Sequence, residues 1–352
     1  MIEGHGDDLY RYGAKVMHNF STNIISDSDH SGLISYLHSV MSKIGSYPEP
    51  APYSLERQIA RKIGVRAENV VVTNGATDAM YRIAHIFSGC VSAIRIPAFR
   101  EYQDACRSFG HEMCFVKEVA DMPVSADLAW LCSPNNPTGE VLDKSLILDL
   151  SDKMRGGKVQ ADTNNDNRAW VVVDQAYADY TAKPVLAPQE AVETGNVVLL
   201  SSLTKRYAVP GLRIGYMVAE AGIAAAVRDK GMPWAVNTLA IEAGAYLLGH
   251  DADYVIDARG LHAEALRIAG AFRGMGIECS ATDCNFILCR LPEGTAAELK
   301  EYLVDSHGIL VRDASNFEGL DERYFRVAAQ SKEQNDLLIN AIKRWIAIGW
   351  NI

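Results

Sequence analysis

Short apolar runs recur along the first two-thirds of the chain, each bounded by polar or turn-forming residues. Val70-Val71-Val72, Ala93-Ile94-Arg95-Ile96, Leu128-Ala129-Trp130-Leu131, Trp170-Val171-Val172-Val173 and Val197-Val198-Leu199-Leu200 are too short for helices. They lack the regular polar alternation of strands with one face in water, so they read as strands buried on both faces. Amphipathic segments lie between them. Over residues 77–87, Met80, Ile83, Ala84 and Phe87 repeat at i, i+3, i+4 and i+7, which makes one apolar helix face. This alternation predicts an α/β fold with a large, mostly parallel sheet covered by helices. Past residue 240 the pattern changes to long helices, 254–275 and 332–348, around a strand at 284–291, the mark of a smaller α+β domain.

Three segments are therefore expected. Residues 1–44, with no strand sequence of their own, form an arm packed on the smaller domain. Residues 45–240 form the large domain and residues 241–352 the small one. The polar segment 160–168 is a connecting loop. A length of 352 residues exceeds a single typical core and agrees with two domains. The 48% hydrophobic and 22% charged composition is that of an ordinary globular protein.

A formal net charge of −10 argues against nucleic acid or an anionic membrane surface as partner, while leaving room for a locally basic pocket. The seven cysteines form no Cys-x-x-Cys pair and have no histidine at metal spacing. Free thiols in a reducing compartment and no metal site are expected. Residues 1–8 are polar and acidic, unlike a targeting peptide, and no apolar run approaches the ~20 residues of a membrane helix. A cytoplasmic protein without a membrane partner follows as the expectation.

Candidate chemistry gathers where the strands end. Lys205 has the hydroxyl of Ser202 three residues before it and Arg213 eight after it. A lysine so framed suits an imine to an aldehyde cofactor whose phosphate is gripped from either side of the attachment point. Gly75-Ala76-Thr77 closes one strand and opens the amphipathic helix, so backbone N–H groups and a hydroxyl face any anion placed there. Asn136 lies in Ser133-Pro134-Asn135-Asn136-Pro137-Thr138-Gly139, where two prolines fix the backbone. Asp174 ends a buried strand, where an acid is costly unless paired, and Tyr177 follows three residues on. Each segment alone also reads as plain turn geometry or an ordinary core position. Their agreement on one ligand points to a single site.

On these residues the chain resembles the fold-type I pyridoxal phosphate enzymes of the aminotransferase class I/II superfamily, over nearly its whole length. The resemblance implies that Lys205 attaches the cofactor, Asp174 pairs with its pyridine nitrogen, and Tyr177 and Asn136 contact its phenolic oxygen. Gly75, Ala76, Thr77, Ser202 and Arg213 would hold its phosphate, and Phe99 would stack on the ring. Arg326 would meet the substrate carboxylate. Tyr47 would reach the phosphate of a neighbouring subunit's cofactor, which implies a homodimer with shared active sites.

Within the superfamily the chain is most similar to the L-threonine O-3-phosphate decarboxylases of cobalamin synthesis, relatives of the histidinol-phosphate aminotransferases. Gly4-His5-Gly6, Asn19-Phe20-Ser21-Thr22-Asn23, Ser202-Leu203-Thr204-Lys205 and the stretch from Gly308 to Phe317 carry that similarity. It implies a phosphorylated amino acid substrate, with Arg312, His5, Gly6, Thr22 and Asn23 around its phosphate. The chain departs from the decarboxylase pattern at Asp7-Asp8, where a second glycine is usual, and at Arg206, where an aromatic is usual. Decarboxylation, transamination of a phosphorylated or other amino acid, and cofactor binding without catalysis are the three functions this set allows.

Overall fold

The computed structural model describes residues 7–26, 28–156 and 168–349. His5, Gly6 and residues 160–167 of the expected polar loop lie outside the described residues. In chain order the strands are β1 (His18–Asn19), β2 (Val70–Thr73), β3 (Val91–Arg95), β4 (Glu112–Val116), β5 (Leu128–Cys132), β6 (Trp170–Asp174), β7 (Val197–Ser201) and β8 (Gly215–Val218). They continue with β9 (Glu278–Cys279), β10 (Phe286–Arg290), β11 (Ile309–Leu310), β12 (Arg312–Asp313) and β13 (Tyr324–Ala328).

Strands β2 to β8 build a seven-stranded sheet in the order β2-β8-β7-β6-β5-β3-β4. Neighbours from β4 through β7 pair in parallel, and β8 alone runs against its neighbours β7 and β2. Side chains alternate across a strand, so a strand with helices on both faces must be apolar at every position. Ala129, Leu131, Val171, Val173 and Leu199 enter one core, while Leu128, Trp130, Val172, Val198 and Leu200 enter the other. The continuous apolar runs in the sequence are these two-sided strands. Strand β4 escaped the sequence pattern because it is the sheet edge and carries exposed Glu112.

The smaller antiparallel sheet has the order β12-β13-β10-β9. Helices Ala258–Arg273, Ala296–His307 and Lys332–Gly349 cover it, and Phe272, Leu299, Phe325 and Leu338 are buried between. No helix among the described residues is long and apolar enough to cross a membrane.

Three features of the arm and the domain division differ from the expectation. First, the arm does contribute a strand, since β1 pairs in parallel with β11 through His18↔Ile309 and Asn19↔Leu310. Two residues are too few for a periodicity to register. Secondly, the arm divides between the domains. Its start is tied to helix Ala296–His307 through Tyr12 to Glu301 (2.6 Å) and Lys15 to Asp305 (2.8 Å), whereas helix Ser31–Ser39 buries Leu33 in the large-domain core. Thirdly, helix Thr238–Gly249 packs its Ala240, Ile241, Ala243 and Leu247 into that same core, so the cores divide after this helix and not at residue 240. Its composition is so uniformly apolar that sequence alone does not say which sheet it covers.

Strand β8 meets the start of helix Ala76–Ile86 closely. A Cβ on Gly215 would lie 2.6 Å from Ala76 N, 2.9 Å from the Gly75 carbonyl carbon and 2.9 Å from Ser201 O, all of them backbone atoms. We expect Gly215→Ala to lose about 1–3 kcal/mol of stability by overpacking. Denaturant unfolding measures that loss.

Candidate active site

Ligands of open α/β sheets bind outside the carboxyl ends of the parallel strands. Here a cavity of about 540 Å³ opens at those ends. Asp174 is the last residue of β6, and Lys205 lies on the short helix Leu203–Arg206 just past β7. The turn after β5 brings in Asn136, the start of helix Ala76–Ile86 brings Ala76 and Thr77, and the turn before β8 brings Arg213. Arg312 on β12 and Arg326 on β13 reach in from the smaller sheet, and Thr22 from the arm. Phe99, Tyr177 and Ser202 complete the expected residues that line the space.

Lys205 is desolvated, and burial pulls its ammonium down to about 8. The charges of Arg326 and Arg213 push in the same direction, while Asp7 and Asp174 pull it back up. Its Nζ donates to Thr22 O at 3.4 Å and lies 5.8 Å from the Tyr177 ring centroid. An amine so tuned is neutral in a useful fraction near neutral pH, as a nucleophile or proton carrier requires.

Asp174 is buried, and burial holds its carboxyl above the usual range. Tyr102 donates to its Oδ2 at 2.7 Å and the Ala176 N–H to its Oδ1 at 2.9 Å. Tyr102 is fully buried, stacked on Trp130 at 5.4 Å, and was not singled out from the sequence. It stands three residues past Phe99, but that position carries no sign of the contact with Asp174. Tyr177 packs edge-on against Phe286 at 5.0 Å, and burial raises its hydroxyl well above the ordinary phenol range.

The two small-domain arginines are cross-strand partners, with Arg312 opposite Arg326 in the β12–β13 register. Burial draws each guanidinium down to about 10, so both stay charged at neutral pH. Arg326 donates to Asn136 Oδ1 and Ser21 O, while its Nε has no hydrogen-bond partner among the described residues. Arg312 donates to Asn316 Oδ1 at 2.7 Å and sits over Phe317 at 5.3 Å. Ser21 meets Arg326 through its backbone carbonyl, a contact that its side chain does not signal.

The paired acids separate. Asp8 is engaged by Lys300 and is absent from the cavity lining. Asp7, in a left-handed turn at φ +68°, lines the cavity, and its carboxylate accepts from Asn19 Nδ2 at 2.9 Å. Arg206 is absent from the cavity lining and pairs with Asp179 at 3.3 Å and Asp251 at 3.1 Å.

Three expected residues stand apart from the lining. Gly75 is behind it at φ +80°, where a Cβ would come 2.7 Å from Arg213 Nη2, so the bare backbone lets that guanidinium lie against the helix start. Asn23 is buried beside the Tyr177 hydroxyl, and neither polar atom of its amide completes a hydrogen bond among the described residues. Tyr47 is 82% exposed and packs against Trp234 at 4.9 Å, outside the cavity.

The profile described as aminotransferase class I and II matches residues 17–342. The chain belongs to that family. Similar proteins include a solved L-threonine-O-3-phosphate decarboxylase from Porphyromonas gingivalis, 38% identical with a TM-score of 0.87, covering 94% of this chain and 100% of that one. The threonine-phosphate decarboxylase of Salmonella typhimurium is 29% identical over 85% of this chain and 83% of its own. A histidinol-phosphate aminotransferase of a Thermoanaerobacter species is 30% identical over 86% of this chain and 85% of its own.

Family membership makes this chain an enzyme whose cofactor is pyridoxal phosphate, and the cavity fits that group. The helix start at Ala76, the hydroxyls of Thr77 and Ser202 and the Arg213 guanidinium converge as an anion cradle. Asp174 supplies a buried carboxylate and Lys205 a desolvated amine in the same space.

The neutral amine is the form that captures an aldehyde. Capture of added pyridoxal phosphate by the apoprotein should therefore accelerate as pH rises through about 8, well below the ordinary lysine range. Asp7→Asn removes a charge that favours the ammonium, so its midpoint should fall below that of the wild type. Stopped-flow absorbance across pH checks both, and an unchanged or higher midpoint in the variant would exclude the Asp7 contribution.

Proposed function

We propose that this chain decarboxylates L-threonine O-3-phosphate to 1-amino-2-propanol phosphate. The observation that carries the reading is the cross-strand pair Arg312 and Arg326, both lining the cavity that holds Lys205. Two fixed cations beyond the cofactor cradle suit a substrate with two anionic groups, a carboxylate and a phosphate. The two decarboxylases to which the chain is similar support that choice.

When bound, pyridoxal phosphate supplies an electron-poor ring that takes up the electron pair released at the substrate's Cα. Ala76, Thr77, Ser202 and Arg213 would hold its phosphate, with Gly75 leaving room for that guanidinium. Asp174 would hold its ring nitrogen, Tyr177 and Asn136 its phenolic oxygen, and Phe99 one ring face. Arg326 would grip the substrate carboxylate and Arg312 its phosphate, with Thr22 as a neutral donor; Asn23, buried outside the lining, would act only through Tyr177. Lys205 Nζ would hand a proton to Cα after carbon dioxide leaves, and an amine tuned to about 8 is matched to that transfer near neutral pH.

A second reading, transamination, is favoured by the similar histidinol-phosphate aminotransferase. It uses the same lysine in the opposite sense, to take a proton from Cα. A homodimer is also part of the proposal. Tyr47 and Trp234 stand exposed together, with Met232 at 78% and Ile44 at 62% exposure near them in the chain, an apolar surface suited to a second copy. Sedimentation at micromolar concentration should give twice the mass of one chain.

Incubating the cofactor-loaded enzyme with L-threonine O-3-phosphate, and no keto acid, should release carbon dioxide and aminopropanol phosphate over many turnovers. Amino transfer seen only with an added keto acid would replace this reading with the second. Arg312→Ala should raise KM for the phosphorylated substrate about ten- to hundredfold, the loss of a charge-assisted hydrogen bond. Turnover of unphosphorylated L-threonine should change little. Equal losses for both substrates would remove the phosphate role from Arg312.

A further inference from the structure

Away from the cavity, Cys279 on β9 and Cys289 on β10 face each other as direct cross-strand partners. Their sulfurs are 3.6 Å apart, which is van der Waals contact between two thiols. The Ser280 N–H donates to Leu288 O at 2.9 Å in the next register position, so the cysteines occupy the narrow, non-hydrogen-bonded position of the antiparallel ladder. At that position Cα atoms are about 4.5 Å apart, within the span a disulfide bridges without moving the backbone.

We propose that Cys279 and Cys289 form a reversible thiol–disulfide site, in which Cys279 is attacked by a peroxide and Cys289 resolves the product. The two sulfurs are placed unequally, which assigns the roles. Strand β9 is the edge of its sheet and Cys279 is half-buried there, within reach of a small oxidant. Cys289 is fully buried in the small-domain core, where solvent does not reach it. The Cys289 thiol and then the Arg273 charge favour the thiolate of Cys279, whereas burial keeps Cys289 protonated. Arg273 is held nearby by donating to Cys279 O at 3.2 Å.

In the first step the Cys279 thiolate attacks one peroxide oxygen and the O–O bond breaks. This leaves a sulfenic acid and releases hydroxide. In the second, the Cys289 sulfur attacks the Cys279 sulfur, the S–O bond breaks, and the Cys289 proton leaves with the hydroxyl as water. Two thiols are oxidised by two electrons in total and one peroxide is reduced to two waters. Reduction by a dithiol reverses the change. The bond would fix β9 to β10 just before Ser280, whose hydroxyl donates to Thr138 O at 3.3 Å in the turn that carries Asn136.

The test treats the full-length holoenzyme with hydrogen peroxide, then alkylates it under denaturing conditions and maps the peptides by mass. Two of the seven cysteines should escape alkylation, in peptides joined through Cys279 and Cys289, and dithiothreitol should restore both. In Cys289→Ala the reaction should halt at a sulfenic acid on Cys279 that dimedone captures. In Cys279→Ser, a change at the half-exposed position that spares the core, Cys289 should stay reduced. Full alkylation of the wild type after a dose that oxidises a free small thiol would overturn the site. Equal oxidation of Cys289 in Cys279→Ser would overturn the assigned order of attack.

Discussion

The structure depends on crowding basic side chains, Lys205, Arg213, Arg312 and Arg326 with Arg100 beside them, around one cavity in a chain of formal net charge −10. Removing Lys205, Arg312 and Arg326 from water and bringing like charges together both oppose folding. The strain is visible in Lys205, drawn down to about 8 by burial and by two of the arginines, and in Arg312 and Arg326, each drawn down to about 10. Such a cluster persists only because the surrounding structure fixes each member. An anion entering it relieves repulsion as well as making hydrogen bonds, so energy spent on folding is recovered as affinity.

How each cation is fixed explains why two domains and an arm are needed. Arg213 lies against Gly75, where a side chain would collide with it. Arg326 comes from the smaller sheet but donates to Asn136 of the large domain and to Ser21 of the arm. Three separate parts of the chain thus meet at one guanidinium. β1 sets the arm by pairing with β11, which places Ser21 and Thr22 at the cavity two and three residues later. The acidic turn that precedes β1 divides its charge, with Asp8 given to Lys300 and Asp7 left facing the lysine.

Much of this was legible in the sequence for a physical reason. A strand covered on both faces must be apolar throughout, so the large sheet announced itself, and residues just past those strands were bound to share one edge. Asp174, Asn136 and Thr77 stand out that way and Lys205 by its spacing from Ser202 and Arg213, and all four line the cavity. What was not legible depends on tertiary contact. Tyr102 supports Asp174 from a helix on one face of the sheet, and nothing in its local sequence says that its hydroxyl points at a carboxylate 72 positions on. Helix Thr238–Gly249 is apolar enough to suit either core, and only its fit beside Leu55 and Ile214 assigns it to the large one. The contact between Cys279 and Cys289 follows from strand register, which cysteine spacing alone does not reveal.

On the proposed reading, the choice between decarboxylation and proton removal lies in the same cluster, since Lys205 would serve either reaction. A bond at Cα breaks readily only when it stands perpendicular to the cofactor ring, and the anchors of the substrate decide which bond that is. With one anionic site, an amino acid keeps freedom to turn about its anchor. With two, at Arg312 and Arg326 on neighbouring strands, the carboxylate and phosphate would be held together and that rotation lost. Their spacing is set by a hydrogen-bonded ladder, which is stiffer than a loop, so the orientation of Cα is inherited from sheet register. On the proposed reading, reaction choice is therefore encoded in the smaller sheet, at a distance from the lysine that carries out the chemistry.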